Sequence, residues 1–473
     1  MKTTRILSIV IFVMVLAHSA SADDRLGMRS MGMGRAAVAA SRGIDAIGVN
    51  PANIAIQDVG HFNLSLIQSS FRVSTELFTY DIYQKYFTGK DSVDAQGKKS
   101  RVQYPLTDQD KADIRSQLPD NPVTRMNLEL MDAGFSLETS VLGGIGFAII
   151  EHAGIRMDFS RDYFEFFLQG LPSSTTYTFN GTSFEAWWYR EYNFSYGRKL
   201  PVSIPFLKNL YVGAGVKLIQ GFGIFETTKN NASIENKSAL NDTSTASIIG
   251  KFDFAGERAG VDFFNNDSTT ISPKPFPTPV GRGTGFDIGV SAEFFNGLRM
   301  GISVTDIGKI TWDKNIIQTT GGGQITFTGY TAAIQDSVKH ILKGKNSPGE
   351  GFSTSLPTIV HVGVTAQSDE LPFLRFLPGR LLLAAEYAQG LNESLGNTTK
   401  PRVSLGAEYR IIPLLPLRSG LLVGGGDQLR WAFGFGFDFR YLSLDFATDN
   451  FGMFFTPKSF QVFSISMGLR IRV

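Results

Sequence analysis

The sequence predicts an all-β fold: a transmembrane, antiparallel, up-and-down β-barrel of about fourteen strands (range 12–16) with a small N-terminal segment in its lumen. Three observations predict it. From Trp431 to Tyr441 a large aromatic stands at every second position, with only Ala432, Gly434, Gly436, Asp438 and Arg440 between. The final stretch repeats the pattern, with Phe463, Ile465, Met467, Leu469, Ile471 and Val473 alternating with Ser464, Ser466, Gly468, Arg470 and Arg472. Side chains of an extended strand alternate faces, so each ribbon is greasy on one side and small or charged on the other. Alternation alone also fits a soluble two-layer sandwich. The third observation separates the two: segments between candidate strands are alternately long and short, as in barrels with short periplasmic turns and long extracellular loops.

Taken in chain order, the first segment is an export signal. Lys2 and Arg5 precede the apolar run Ile6 to Leu16, and Ala20-Ser21-Ala22 then offers a small-residue cleavage site, so 1–22 reads as a secretory signal peptide. The apolar run is about half the length of a membrane-spanning helix. The chain has no cysteine, which excludes a lipoprotein anchor and disulfides, so stability must come from sheet closure and packing. Glycine (50 of 473 residues) is above its usual share of about 7%, and phenylalanine (39) is abundant. Glycine keeps a lumen face uncrowded; phenylalanine suits a lipid-facing one. The net charge of +2 falls to zero once Lys2 and Arg5 leave with the signal, so nothing favours nucleic acid as a partner.

Alternating runs bounded by turn residues place strands near 62–74, 130–141, 144–156, 184–197, 210–225, 284–295 and 298–306. Seven more follow near 357–367, 380–388, 401–411, 417–424, 430–439, 441–448 and 461–473. The barrel thus occupies 61–473, with long extracellular loops at about 75–129, 157–183, 226–283 and 307–356 and both termini in the periplasm. Within the first loop, Thr107 caps an acidic first turn and Pro119 ends the run, which predicts a short helix over 107–118. The second loop carries Tyr163, Phe164, Phe166 and Phe167, unusually greasy for a segment facing water; they read as a lid on the rim or as a capture site for apolar ligands. Residues 226–283, rich in Asn, Ser, Thr and then Pro, read as solvated. Three periplasmic connections (200–207, 371–378 and 411–417) combine proline with aliphatic residues, fitting a rest at the membrane boundary or a docking edge for a periplasmic protein.

Segment 23–60 reads as a hatch or plug. Small residues dominate it, which allows close backbone packing, and Asn50-Pro51-Ala52 is a coherent helix start with Asn at the cap and proline at the first position. The run Met31-Gly-Met-Gly-Arg-Ala36, followed by Asp45-Ala-Ile-Gly-Val-Asn-Pro-Ala52, resembles the start of the FadL/TodX-type outer-membrane transporters, and most closely their PorV-like and uncharacterised Bacteroidetes-type relatives. Gly285 to Gly289, Gly301 to Gly308 and Leu405 to Tyr409 are similar in character. The resemblance implies a fourteen-stranded barrel with an internal hatch, in the outer membrane of a Gram-negative bacterium. It makes Gly32, Gly34, Gly43, Asn50, Pro51 and Ala52 candidate gating positions. It also implies one of two activities. Transporters of this type take up hydrophobic small molecules passively, fatty-acid-like or aromatic, with hatch-gated lateral release into the membrane. The PorV-like branch serves as a partner in protein secretion or outer-membrane assembly. Val473 is a departure from the aromatic C-terminus of many barrels.

No catalytic reading emerges. His18, His61, His152, His340 and His361 are too scattered for metal-ligand spacing, and there is neither a G-x-S-x-G elbow nor a P-loop. No cofactor or metal is expected. The expected partners are outer-membrane lipids and an apolar small molecule, or else periplasmic or secretion-system proteins.

Overall fold

A computed structural model describes residues 27–56, 61–93, 99–102, 105–237, 248–260, 277–294, 297–327, 343–369, 371, 377–425, 427–439, 441–457 and 460–472. The expected signal peptide lies outside the described residues. So do both ends of segment 23–60, and Val473.

Fourteen strands close into one ring. In chain order they are β1 (Phe62–Thr75), β2 (Val123–Thr139), β3 (Gly143–Asp158), β4 (Ser183–Leu200), β5 (Leu207–Asn230), β6 (Gly281–Phe294) and β7 (Leu298–Trp312). They continue with β8 (Ile359–Gln367), β9 (Arg380–Gly390), β10 (Arg402–Arg410), β11 (Pro416–Gly424), β12 (Asp427–Asp438), β13 (Leu442–Thr448) and β14 (Val462–Arg472). Each pairs antiparallel with its neighbours in the ring, and β14 returns to β1 through pairs such as Ser70 with Ser466. Closure leaves no free edge around the ring, which a span through hydrocarbon requires.

The distribution of side chains is inside-out. On β14, Ile465 and Met467 are about half exposed (48% and 50%), whereas Ser464 and Ser466 between them are sealed (1% and 0%). Exposed Phe286, Ile288, Val290, Leu405 and Leu421 continue the greasy belt, and Arg72, Arg402, Arg418 and Arg470 are buried within. A soluble sandwich buries its apolar face; a transmembrane barrel turns it outward. The strand ends at Thr139 and Gly143, Leu200 and Leu207, and Phe294 and Leu298 sit at one end, where the connections are short; those at Thr75 and Val123, Asp158 and Ser183, Asn230 and Gly281, and Trp312 and Ile359 sit at the other.

Every predicted strand overlaps an observed one. The boundaries at the end of the long connections differ: β2 begins at Val123, β5 runs to Asn230 and β7 to Trp312. The solvated reading of 226–283 is corrected in part. Ser233–Asn236 and Ile248–Ala259 are strands, the latter pairing with the top of β5 and with Ile316–Phe327. The helix expected at 107–118 spans Asp108–Gln117, and Thr107 and Asp110 form a reciprocal capping box.

Candidate functional site

The described part of the N-terminal segment fills the half of the lumen at the end where the short connections lie. A short helix (Met28–Gly32) and two 3₁₀ turns (Gly43–Ala46 and Pro51–Ala55) are connected by tight bends, with Gly34 and Gly43 at φ +64° and +52°, where a side chain would strain the backbone. Asn50 caps the last turn: its Oδ1 accepts from the Ala52 N–H at 3.2 Å, and its Nδ2 donates to the Val38 carbonyl and the Ser291 hydroxyl at 3.0 and 3.1 Å. Asn53 reinforces the knot by donating to Val38 O at 2.8 Å. Gly32, Gly34, Gly43, Asn50, Pro51 and Ala52 all lie here, and all are buried.

The inward-facing glycines of the wall explain how the plug fits. A Cβ at Gly213 would stand 2.3 Å from the Ala52 nitrogen, one at Gly144 2.2 Å from the Ile54 carbonyl oxygen, and one at Gly406 2.4 Å from that of Met33. Plug backbone therefore lies directly on wall backbone. At Gly289 a methyl would meet Asn50 Oδ1 at 2.0 Å. Gly289→Ala is expected to cost about 1–3 kcal/mol, the usual range for overpacking, and to loosen the plug before it unfolds the barrel. Faster proteolysis of segment 27–56, with the barrel's heat-modifiable gel mobility retained, is the measurement that checks it.

Charge completes the seat. Arg29 pairs with Glu408 at 2.9 Å, Asp45 with Arg470 at 2.8 Å and Arg35 with Asp449 at 3.1 Å. Glu386 accepts the backbone N–H groups of Ala37 and Val38 at 2.6 and 2.7 Å, and its other oxygen lies 3.0 Å from His361 Nδ1. Asp449 is shared with Arg72 and Arg430, at 3.3 and 2.5 Å. A buried carboxylate persists when it is paired and hydrogen-bonded, and each of these acids meets that condition.

The half nearer the long connections is sealed differently. Trp187, Tyr189, Ile219, Trp312, Leu356 and Leu395 form an apolar core inside the barrel mouth. Leu395 comes from the β9–β10 connection (391–401), which folds inward and crosses to the opposite wall. There the Leu395 N–H donates to Glu185 Oε1 at 2.9 Å, and Arg156 donates to the Asn397 carbonyl at 3.4 Å. We term this segment the strap. Burial pushes the Glu393 carboxyl up, but the Thr399 hydroxyl and the Arg156 charge hold it below the ordinary carboxylate value.

Between plug and strap lies a chamber of about 60 Å³. Its lining mixes Arg35, Val49 and Glu386 with Glu129, His152 and Trp187. On the outer face of the same wall is an apolar groove of about 460 Å³, bordered by Phe71, Met126, Ile155, Phe184 and Trp188. Chamber and groove share Leu128, Ala153 and Trp187. Leu128 and Ala153 are directly paired across β2 and β3, and the Trp187 ring covers Gly154, where a Cβ would lie 2.2 Å from Cζ2. One backbone layer and one indole separate the two spaces.

The aromatic loop forms the helix Arg161–Gln169. Phe164 packs into a small lid core with Ile82, Tyr86, Ile114 and Leu118. Tyr163 and Phe166 pack against Phe179, and Phe167 remains 66% exposed. The four cover the rim, and none lines the chamber. The sequence reading did not single out the strap or the acids on which the plug's charges rest.

Residues 51–466 match the model of a family described as a family of unknown function, DUF5723. No curated protein matches the chain in sequence. Among solved structures, it is similar to the crystal structure of the Ralstonia pickettii toluene transporter TbuX, at 14% identity over 94% of this chain and 97% of that one, with a TM-score of 0.45. It is also similar to a Pseudomonas aeruginosa FadL homologue (12% identity, 96% and 98% covered, TM-score 0.44) and to the Pseudomonas putida toluene transporter TodX (11%, 96% and 98%, 0.39).

Proposed function

The chain belongs to the DUF5723 family, whose function is unknown, and we propose from its own geometry that it is an outer-membrane channel for hydrophobic small molecules. The observation that carries this reading is the shared border of chamber and groove at Leu128, Ala153 and Trp187. An apolar solute gains free energy on leaving water, about 25 cal/mol per Å² buried, so it needs a route and no energy input. The exposed Phe167 and the rim aromatics collect it. The strap withdraws, the solute enters the chamber, and a shift of the plug frees the wall beside Trp187. It then leaves sideways into hydrocarbon, while the plug keeps the axial path closed to water. The short connections, and with them both termini, face the periplasm.

The test uses the absence of native cysteine. Leu128→Cys with Ala153→Cys staples β2 to β3 at the proposed exit. Uptake of radiolabelled toluene by cells carrying this pair is expected to stop under oxidation and return on reduction. Trp187→Ala is expected to speed uptake severalfold. Uptake unaffected by the staple would exclude the lateral route.

A second reading, a partner in protein secretion or assembly, is favoured by the extra sheet raised above the mouth, where Ile248–Ala259 pairs with Ile316–Phe327. A stoichiometric protein recovered by cross-linking in native membranes would move the assignment there.

A further inference from the structure

The side of the chamber formed by β2 to β7 carries more negative than positive charge. His152 stands between Glu129, 3.8 Å from Nδ1, and Glu191, 3.5 Å from Nε2, with its ring stacked on Tyr189 at 4.7 Å between centroids. Behind it Lys217 Nζ serves three acids: Asp306 at 2.5 Å, Asp287 at 2.9 Å and Glu191 at 3.8 Å. Four carboxylates thus face one ammonium and one imidazole, and Glu191, Lys217 and Asp287 are sealed from solvent. On the far side the cations are engaged: Arg35 with Asp449, and Arg402 with Glu386 at 3.6 Å. Glu129, His152 and Asp306 line the chamber itself, beside the rings of Tyr189 and Trp187.

Resting on the transport reading, we propose that this chamber selects the head group of its ligand: it takes a small aromatic carrying a protonated amine and rejects the carboxylate of the same shape. Two physical arguments meet here. Excess buried negative charge is costly, and an entering ammonium offsets it where an entering carboxylate adds to it. The Tyr189 and Trp187 rings favour a cation by the same sign rule. Size acts alongside charge. By the measure in which one water needs about 10–15 Å³, the chamber holds roughly four to six waters, which is the room of one ring with its substituent and not of a long acyl chain. Glu129 and Asp306 are then the specificity-determining residues, and fatty acids are excluded twice over.

Equilibrium dialysis of the purified full-length mature protein in detergent, against radiolabelled benzylamine, benzyl alcohol and benzoate, tests the proposal. Benzylamine is expected to bind at least about tenfold more tightly than benzoate, with benzyl alcohol between, as follows when like charges are juxtaposed. Glu129→Gln should shrink the benzylamine-to-benzoate ratio. Asp306→Asn, which retains a residue suited to the φ of +59° there, should do the same if the first variant folds poorly. If benzyl alcohol binds but benzoate equals benzylamine, head-group selection is overturned and the channel reading stands. If none of the three binds, the chamber is no ligand site and both readings fall. An amine preference untouched by both substitutions would overturn the assignment of these two residues.

Discussion

Deleting residues 27–56 from the mature chain is expected to turn a closed barrel into an open, water-filled pore. The segment is not a tail resting outside the ring. Its backbone presses on Gly144, Gly197, Gly213, Gly406 and Gly420, and Met28, Met31, Ala52 and Ile54 are fully buried inside the ring. What remains once it is gone is a fourteen-strand ring whose inner face carries arginines, acids, serines and glycines. Such a surface wets, and a ring of this size leaves an aqueous passage when nothing fills it. In planar bilayers the intact chain should show near-background conductance. The deletion should raise it on the order of tenfold or more, as an unplugged polar lumen requires. The strap and the apolar core it joins at the mouth limit this effect. A deletion variant that folds, as judged by heat-modifiable mobility, yet stays closed would show that the half nearer the long connections alone seals the protein.

The second large effect is expected from Asp449→Ala. One carboxylate holds the guanidinium groups of Arg35, Arg72 and Arg430, so it ties plug, β1 and β12 to the β13–β14 connection at one point. Truncating it leaves three buried cations around the space it occupied. Breaking a buried pair by removing one partner typically costs about 3–5 kcal/mol, and here three pairs are lost together. The expected outcome is a lower thermal transition of the folded barrel in detergent, with the plug cleaved at lower temperature than the barrel. Asp449→Asn preserves the shape and some of the hydrogen bonds, so its loss should be smaller. Equal effects from the two substitutions would mean that shape, and not charge, governs this corner.

Much of this architecture was legible along the chain. Strand faces declare themselves wherever the two sides of a ribbon alternate in character, as from Trp431 to Asp438, and the strand positions came from such runs bounded by turn residues. Where the boundaries of β2 and β7 slipped, a bulge lies close by. In β7, Thr305 and Asp306 stand opposite the single Asp287 of β6, and in β2 Asp132 is an extra residue; each shifts the period-two pattern by one, so a strand read by alternation stops near the bulge although the ladder continues. The plug was legible because small residues and an Asn-Pro cap are local signals. Its anchors were not. Arg29 and Glu408 are separated by 379 positions, and Arg35 and Asp449 by 414. Which lumen charges meet across a ring depends on its shear and on the trace of the plug, and neither is written in any short window. The strap was missed for a similar reason. Leu395-Gly-Asn397 reads as an ordinary loop, and only closure of the ring brings it opposite Glu185 and Trp187.

The glycine seat has a consequence for variation. Because stopper and wall meet main chain to main chain, the match is one of contour, like a key cut to a lock's wards. Away from Gly34 and Gly43, exchanging one small side chain for another along 27–56 should be forgiven, whereas inserting a single residue would throw every later notch out of step. Drift in this segment should therefore alter its letters readily and its length hardly ever.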